Sequence, residues 1–182
     1  MAIRPIVTLG EPRLRLPGRP IVKFDRELGA LLDDMVETMD AAPGVGLAAQ
    51  QIGLDLALCV IRVDDELFEV ANPEIVHLSG EEGAWEGCLS VPGYRAWRWR
   101  AEHAVMVGQD RHGQRITVSG HGYLARAIQH EFDHLHGELY IDALSEDEEI
   151  LTEEELDRRL AEEADGTEET DAAEGADGVE QA

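Results

Sequence analysis

The most constraining feature of the sequence is the segment Gln129–His134, in which two histidines are four residues apart and a glutamate follows the first. On a helix, residues i and i+4 lie on one face, so His130 and His134 can present ring nitrogens to the same ion. Glu131 is turned by about 100° from His130, at about 3.6 residues per turn. This H-E-x-x-H pattern is typical of metal-dependent hydrolysis, with two ligands and one general base.

The helix that carries this motif is predicted to be largely buried. Residues 122–129 form a mostly apolar run that is broken by one arginine, Arg126. H-E-x-x-H also arises by chance, so a coincidental match is the alternative. Buried histidines and a buried glutamate need partners, however, and a single cation satisfies all three.

A candidate third ligand, Cys88, lies upstream in the segment Glu86–Ser90. The flanking glycine and the Leu-Ser-Val-Pro run exclude a helix there, and they leave the thiol accessible. A thiol nucleophile and a packing residue are alternatives, but ligation is favoured because zinc and iron accept thiolate and imidazole together. Cys59 lies in an apolar run and is expected to be a buried structural thiol.

Charge and composition narrow the class of protein and its partners. The formal net charge is −24, and residues 146–182 hold 17 acidic residues and two arginines, so the excess is concentrated there. An acidic chain argues against general nucleic-acid binding, although Arg95, Arg98 and Arg100 predict a local basic patch. Two cysteines make no disulfide framework, and neither a signal-peptide core nor an apolar run of ~20 residues is present. The expectation is a soluble cytoplasmic protein without membrane or nucleic-acid partners.

The first 24 residues are rich in proline and arginine and are predicted to form an extended arm over the domain surface. Asp25 is predicted to cap a helix that Pro43-Gly44 ends. Its apolar residues recur at helical spacing, at Leu28, Leu31, Leu32, Met35, Val36 and Met39.

The segment Gly44–Gly53 combines three glycines with two adjacent alanines, which indicates a backbone that approaches another group closely. A dinucleotide-binding loop is disfavoured because a helix, not a strand, precedes it. We interpret the segment as a loop lining a cleft, in which Gln50 or Gln51 is a neutral donor for a developing oxyanion.

The alternation of apolar and polar residues, together with turn-forming residues, predicts the strands and the C-terminal elements. Strands are expected at 56–63, 67–71, 74–78, 95–100, 104–107, 116–118 and 139–141, with an acidic turn at 80–83. Gly137 is expected to end the central helix. Capping boxes are predicted at Ser145/Glu148 and Thr152/Glu155, with a short helix from Thr152 to Leu160. The segment from Asp165 onward has almost nothing to bury and is expected to be disordered.

Three blocks occur in a fixed order: Gly44–Gln51, Glu86–Ser90 and Gln129–His134. Together they resemble the three signature motifs of bacterial peptide deformylases. The resemblance implies an α+β fold, with antiparallel sheets packed around a central metal-binding helix. It covers a catalytic domain at residues 1–160 and leaves out an acidic tail at 161–182. The implied reaction removes formate from the N-terminal formylmethionine of newly synthesised polypeptides.

The resemblance also implies roles for individual residues. Cys88, His130 and His134 would hold the metal, Glu131 would be the general base, and Gln51 with the backbone N–H of Leu89 would stabilise the oxyanion. Substrate contacts are expected from Val45, Gly46, Arg95, Tyr123 and Ala127. The metal would be one ferrous ion per chain, with zinc or another divalent ion as the alternative. The implied partners are nascent polypeptides and, transiently, the ribosome. An ion pair between Glu86 and Arg100 would stabilise the segment around Cys88. Ala84 is found where an acidic residue is common in the family.

Three alternatives remain open at this point. A zinc peptidase usually takes its third ligand downstream of the second histidine, where Glu138 and His136 are the candidates. A structural Cys/His metal module would require a fourth protein ligand, for which Cys59 is the only other thiol. A relative that only binds formylmethionyl peptides is the third. The histidines at 77, 103, 112, 121 and 136 are expected to be surface or hydrogen-bonded residues.

Overall fold

The structure, a computed structural model, describes residues 2–142 and 144–174. In that part of the chain the helices are α1 Arg26–Ala41, α2 Gly122–Leu135 and α3 Glu153–Glu174. The strands are β1 Gly46–Ala48, β2 Leu58–Val63, β3 Glu66–Ser79, β4 Glu82–Cys88, β5 Val91–Arg100, β6 His103–Gln109, β7 Arg115–His121 and β8 Ile150–Thr152. Short 3-10 helices span Pro12–Arg15 and Ala49–Ile52. The α+β prediction is confirmed.

The strands form two antiparallel sheets. One has the order β1-β2-β3-β6-β7 and the other the order β4-β5-β8. Strands β2 and β3 are joined by Asp64 and Asp65, both with positive φ, as a tight hairpin turn requires. The two strands predicted at 67–71 and 74–78 are one strand, because β3 continues through an irregularity at Asn72 and Pro73 and pairs with β6 on both sides of it.

The larger sheet is covered by a helix on each face. Side chains of β2 alternate between the two faces, so Cys59 and Ile61 pack with α2 whereas Leu58 and Val60 pack with α1. Burial on both sides explains why β2 is apolar throughout. Helix α2 therefore lies against the sheet as the predicted buried central helix, and Gly137, with φ of 78°, follows its C-terminus.

The N-terminal arm is extended, as predicted, and it is anchored to segments near the motif residues. The N–H of Val7 donates to the carbonyl of Gln51 at 2.8 Å, and the N–H of Leu9 donates to the carbonyl of Ser90 at 2.8 Å. Leu14, in the first 3-10 helix, is buried. The arm thus holds together two of the three sequence blocks.

Several predictions of secondary structure are wrong. Residues 139–141 form a turn instead of a strand, because Tyr140 is buried through its side chain and its hydroxyl donates to the carbonyl of Tyr94. Glu148 accepts from the N–H of Ser145 as a capping box would, but the short strand β8 follows instead of a helix. Strand β4 replaces the expected turn and loop, since β5 supplies its pairing partners.

Helix α3 begins as predicted and ends later. Thr152 and Glu155 form the expected capping box, with the N–H of Glu155 donating to Thr152 Oγ1 at 3.2 Å. The helix then continues past Leu160 to Glu174. The disorder expected from Asp165 onward stays a prediction. Residues 175–182 lie outside the described residues, and the boundary at 160/161 stays a prediction.

Within residues 2–142 and 144–174, no helix combines the length and apolar character needed to cross a membrane.

Alanine substitution at two glycines should separate backbone strain from steric overlap. Gly137 and Gly93 have φ of 78° and 81°, but an added Cβ at Gly137 would lie 2.5 Å from the carbonyl oxygen of Arg15, whereas Gly93 has open space. In urea denaturation we expect Gly93→Ala to lower the free energy of unfolding by about 1 kcal/mol. We expect Gly137→Ala to lower it by about 3 kcal/mol, because the arm must also shift. Equal losses in the two variants would show that the close approach of Arg15 to Gly137 adds no steric cost.

Candidate active site and metal centre

The three sequence blocks meet in a cleft of about 380 Å³ between β1, the β4–β5 hairpin and α2. Gly44–Gly46 form one wall, and residues 85–95 form the other. Helix α2 lies at the base, where His130 and Glu131 of the motif line the cleft. The residues predicted to contact substrate or oxyanion all line it: Val45, Gly46, Gln51, Leu89, Arg95, Tyr123 and Ala127.

Cys88, His130 and His134 bring their ligand atoms within 4.8 Å of one another. Cys88 ends β4, while the histidines are one turn apart on α2 with rings at 80° to each other. Cys88 Sγ and His134 Nε2 are 3.2 Å apart. Two such ligands on one tetrahedral ion would be separated by roughly 3.5 Å, from bond lengths of about 2.3 and 2.0 Å. The group therefore fits a divalent metal.

Two N–H groups are directed at the sulfur of Cys88, and the thiolate is the form of cysteine that binds metals. Gln51 Nε2 and the backbone N–H of Ser90 both donate to Cys88 Sγ at 3.4 Å. Thiolate with two imidazoles is a donor set that zinc and iron accept. Cys59 is fully buried in the core and is absent from the ligand group, so within the described residues three protein ligands converge here.

His130 is held by a buried carboxylate. Its Nδ1 donates to Glu86 Oε1 at 2.7 Å, which leaves Nε2 free to face the ligand group. Arg100 donates to both oxygens of Glu86, at 2.6 and 3.0 Å, and Arg126 donates to Oε2 at 3.0 Å. Burial opposes ionisation of Glu86, but the bonds and charges of His130 and Arg100 outweigh it and hold the pKa of Glu86 well below its usual value.

The predicted contact between Glu86 and Arg100 is thus confirmed, but sequence reasoning missed Arg126. Arg126 is buried, and it also donates to the backbone carbonyls of Glu82 and Arg98. A signal was present in the sequence, because Arg126 interrupts an apolar helix four residues before His130. A buried arginine requires an anionic partner, and that partner lies on β4.

Glu131 follows the ligand His130 on α2 and is buried. It is 3% exposed, and its Oε2 has no hydrogen-bond partner among the described residues. Burial raises the pKa of Glu131 to about 7, and the charges of Glu86 and Asp133 add to this while His130 opposes it. Gly46 makes room for the carboxylate, since a Cβ there would lie 2.2 Å from Glu131 Oε1. A carboxylate with these properties can exchange protons near neutral pH.

The structure distinguishes the two candidate glutamines. Gln51 Oε1 accepts from the N–H of Ala48 at 2.8 Å, which turns its amide N–H₂ toward Cys88 and the cleft. Gln50 is fully buried and donates to the carbonyl of Leu16 at 3.5 Å, away from the cleft. Gln51 is therefore the amide available to a ligand.

The expected basic patch does not form, because each arginine is paired with an acid from another element. Arg95 pairs with Glu153 and Arg98 with Glu148, while Arg100 pairs with Glu86. Arg95 nevertheless lines the cleft, and Tyr123 lies at its rim with 60% exposure. The remaining histidines are exposed or hydrogen-bonded, as predicted, at His77, His103, His112, His121 and His136.

Comparison with known proteins agrees with this geometry. The family model described as polypeptide deformylase matches residues 3–149. A peptide deformylase of Heliobacterium modesticaldum is 44% identical over 147 residues, covering 81% of this chain and 97% of that protein. The crystal structure of a Thermotoga maritima peptide deformylase aligns with a TM-score of 0.77 at 38% identity, covering 80% of this chain and 99% of that one. A Legionella pneumophila peptide deformylase aligns with a TM-score of 0.77 at 41% identity, covering 94% and 98%. The chain therefore belongs to the polypeptide deformylase family, whose members are metallohydrolases.

Proposed function

We propose that this protein removes the formyl group from the N-terminal formylmethionine of newly synthesised polypeptides and releases formate. The observation that carries the proposal is the convergence of Cys88, His130 and His134 into one ligand group. Cys88, His130 and the neighbouring Glu131 line the same cleft. Family membership supports the same reaction.

The metal would be held by the Cys88 thiolate and one ring nitrogen from each of His130 and His134. We propose one ferrous ion per chain, with zinc as the alternative, since both accept this donor set. When bound, the ion supplies Lewis acidity at the carbonyl and lowers the pKa of water. Glu86 keeps the His130 ring oriented toward it.

Glu131 would act as the proton carrier. Its carboxylate takes a proton from the attacking water and then delivers that proton to the leaving amine. A pKa of about 7 suits both steps, because the group is then partly ionised and partly protonated at neutral pH. As charge builds on the formyl oxygen, Gln51 Nε2 and the backbone N–H of Leu89 would donate to it.

The walls of the cleft would select the substrate. Val45, Leu89, Tyr123 and Ala127 supply apolar contacts for the methionine side chain. A formyl carbon carries only hydrogen besides its oxygen and nitrogen, so a tight site beside Gly46 would exclude an acetyl group. The rest of the peptide would leave the cleft past Arg95 at the rim.

This substrate class places the reaction in the cytoplasm, where new polypeptides emerge from the ribosome. We propose that contact with the ribosome is transient. The formal net charge of −24 supports this, because an acidic protein is repelled by the phosphates of ribosomal RNA. A dedicated nucleic-acid site is not part of the proposal.

Formate release from a formyl-Met-Ala peptide tests the reaction. The protein is purified without oxygen, and its iron and zinc are counted. We expect turnover with about one metal ion per chain, as the ligand group of Cys88, His130 and His134 predicts, and we expect both to be lost in Cys88→Ala. Bound metal without formate release would contradict the proposal and favour a structural metal module.

Substitution of the proposed base should separate proton transfer from metal binding. We expect Glu131→Gln to lower kcat by about 10³-fold, the range typical of general base catalysis, while metal content stays unchanged. Glu138→Gln is the matched control, because Glu138 is exposed just beyond α2 and does not line the cleft. Full activity in Glu131→Gln would reject its assignment as the base.

A methyl group at Gly46 should displace the Glu131 carboxylate while leaving the metal ligands Cys88, His130 and His134 in place. The added Cβ of Gly46→Ala would overlap Glu131 Oε1, so the carboxylate must move. We expect kcat to fall by about 10²-fold, as for a catalytic group displaced by about 1 Å, with metal retained. Gly29→Ala, where an added Cβ meets open space, serves as control. A kcat within threefold of wild type would show that Gly46 does not position Glu131.

A further inference from the structure

We propose that Glu153 is a specificity-determining residue of the cleft, which disfavours acidic side chains in the peptide downstream of the formylmethionine. It would do so by masking the charge of Arg95. The inference rests on the proposed function, because it concerns the peptide that the same cleft would bind. It goes beyond the three sequence blocks, none of which contains Glu153.

The C-terminal segment reaches the cleft through the smaller sheet. Strand β8 pairs with β5, with Tyr94 opposite Thr152 and Arg95 opposite Leu151. Glu153 follows this strand directly and lines the cleft. These residues lie beyond the region 3–149 that the family model matches, so this part of the wall comes from outside it.

Glu153 forms an ion pair with Arg95 at the edge of the cleft. Arg95 Nη2 and Glu153 Oε1 are 2.9 Å apart, and the two side chains are 44% and 50% exposed. The guanidinium crosses from β5 over Gly87 on β4, where an added Cβ would lie 2.1 Å from Arg95 Nη1. The ion pair therefore lies at the rim of the cleft, next to the residue that precedes Cys88.

Depth in the cleft decides which part of a substrate meets this pair. His130 and Glu131 are buried at the base, where the formyl group would react. The half-exposed pair lies further out, so it would meet side chains that follow the methionine. The first turn of α3 carries three acids, Glu153, Glu154 and Glu155, against the single positive charge of Arg95.

Removing the charge of Glu153 should shift the preference of the cleft from basic toward acidic peptides. While the pair is formed, an acidic peptide side chain can reach Arg95 only by displacing Glu153 and then lying beside it. A basic side chain meets Glu153 without that competition. Glu153→Gln exposes the charge of Arg95, so acidic peptides gain affinity and basic peptides lose it. Half-exposed ion pairs are weak, so we expect the Lys-to-Glu ratio of affinities to fall by about three- to fivefold.

Binding measurements on a turnover-deficient background test this directly. Metal-loaded Glu131→Gln and Glu131→Gln/Glu153→Gln are titrated with formyl-Met-Ala-Lys-amide and formyl-Met-Ala-Glu-amide, at low salt and at 0.5 M salt. The amide ends remove the peptide carboxylate as a competitor for Arg95. We expect the ratio of the two Kd values to change with Glu153→Gln at low salt, and the change to shrink at high salt.

Glu154→Gln on the same background is the matched control, because it removes one charge from the next residue, which is exposed and does not line the cleft. An unchanged ratio in Glu153→Gln would overturn the inference. An equal change in Glu154→Gln would also overturn the inference. The combined negative charge of the first turn of α3, and not the ion pair, would then determine the preference between basic and acidic peptides. Formate release by the wild type is measured separately, so failure of the proposed reaction remains distinguishable from failure of this inference.

Discussion

The site depends on the buried carboxylate of Glu86. It lies on β4 and accepts hydrogen bonds from Arg100 on β5 and from Arg126 and His130 on α2. One anion therefore joins the smaller sheet to the central helix and brings Cys88, two residues further along β4, next to the two histidines. A buried ion pair adds little net stability, but removing one partner of it leaves an uncompensated charge and is costly. The network is better explained by the position it imposes on His130 than by the stability it adds.

Two buried glutamates lie within this small region, and their environments give them opposite protonation behaviour. Glu86 has hydrogen-bond donors on both oxygens, so it stays ionised and passive. Glu131 has an oxygen without a partner among the described residues, and burial raises its pKa to about 7. Two carboxylates can thus have different functions because their surroundings differ: Glu86 stays ionised, whereas Glu131 can exchange protons near neutral pH. Gly46 completes the arrangement by leaving space for the second carboxylate.

The sequence predicted the parts of the fold and site that depend on local spacing. The H-E-x-x-H helix, the capping of α1 by Asp25 and the three short sequence blocks were all predictable, because each is defined within a few residues. Features that depend on contacts with distant segments could not be predicted in this way. Arg95 was expected in a basic patch, but its acidic partner is 58 positions away on α3. Strand β8 has only three residues and is defined by pairing with β5, so no periodicity could identify it.

The metal site depends on Glu86 orienting His130, and the affinity of Glu86→Gln for Zn²⁺ tests that dependence most directly. Competition with a chelator measures that affinity, while circular dichroism confirms that the chain is folded. Loss of the carboxylate should weaken binding by about 10- to 100-fold, as is typical when the partner of a ligating histidine is removed. Unchanged affinity in a folded variant would contradict the account, because His130 would then be positioned by α2 alone.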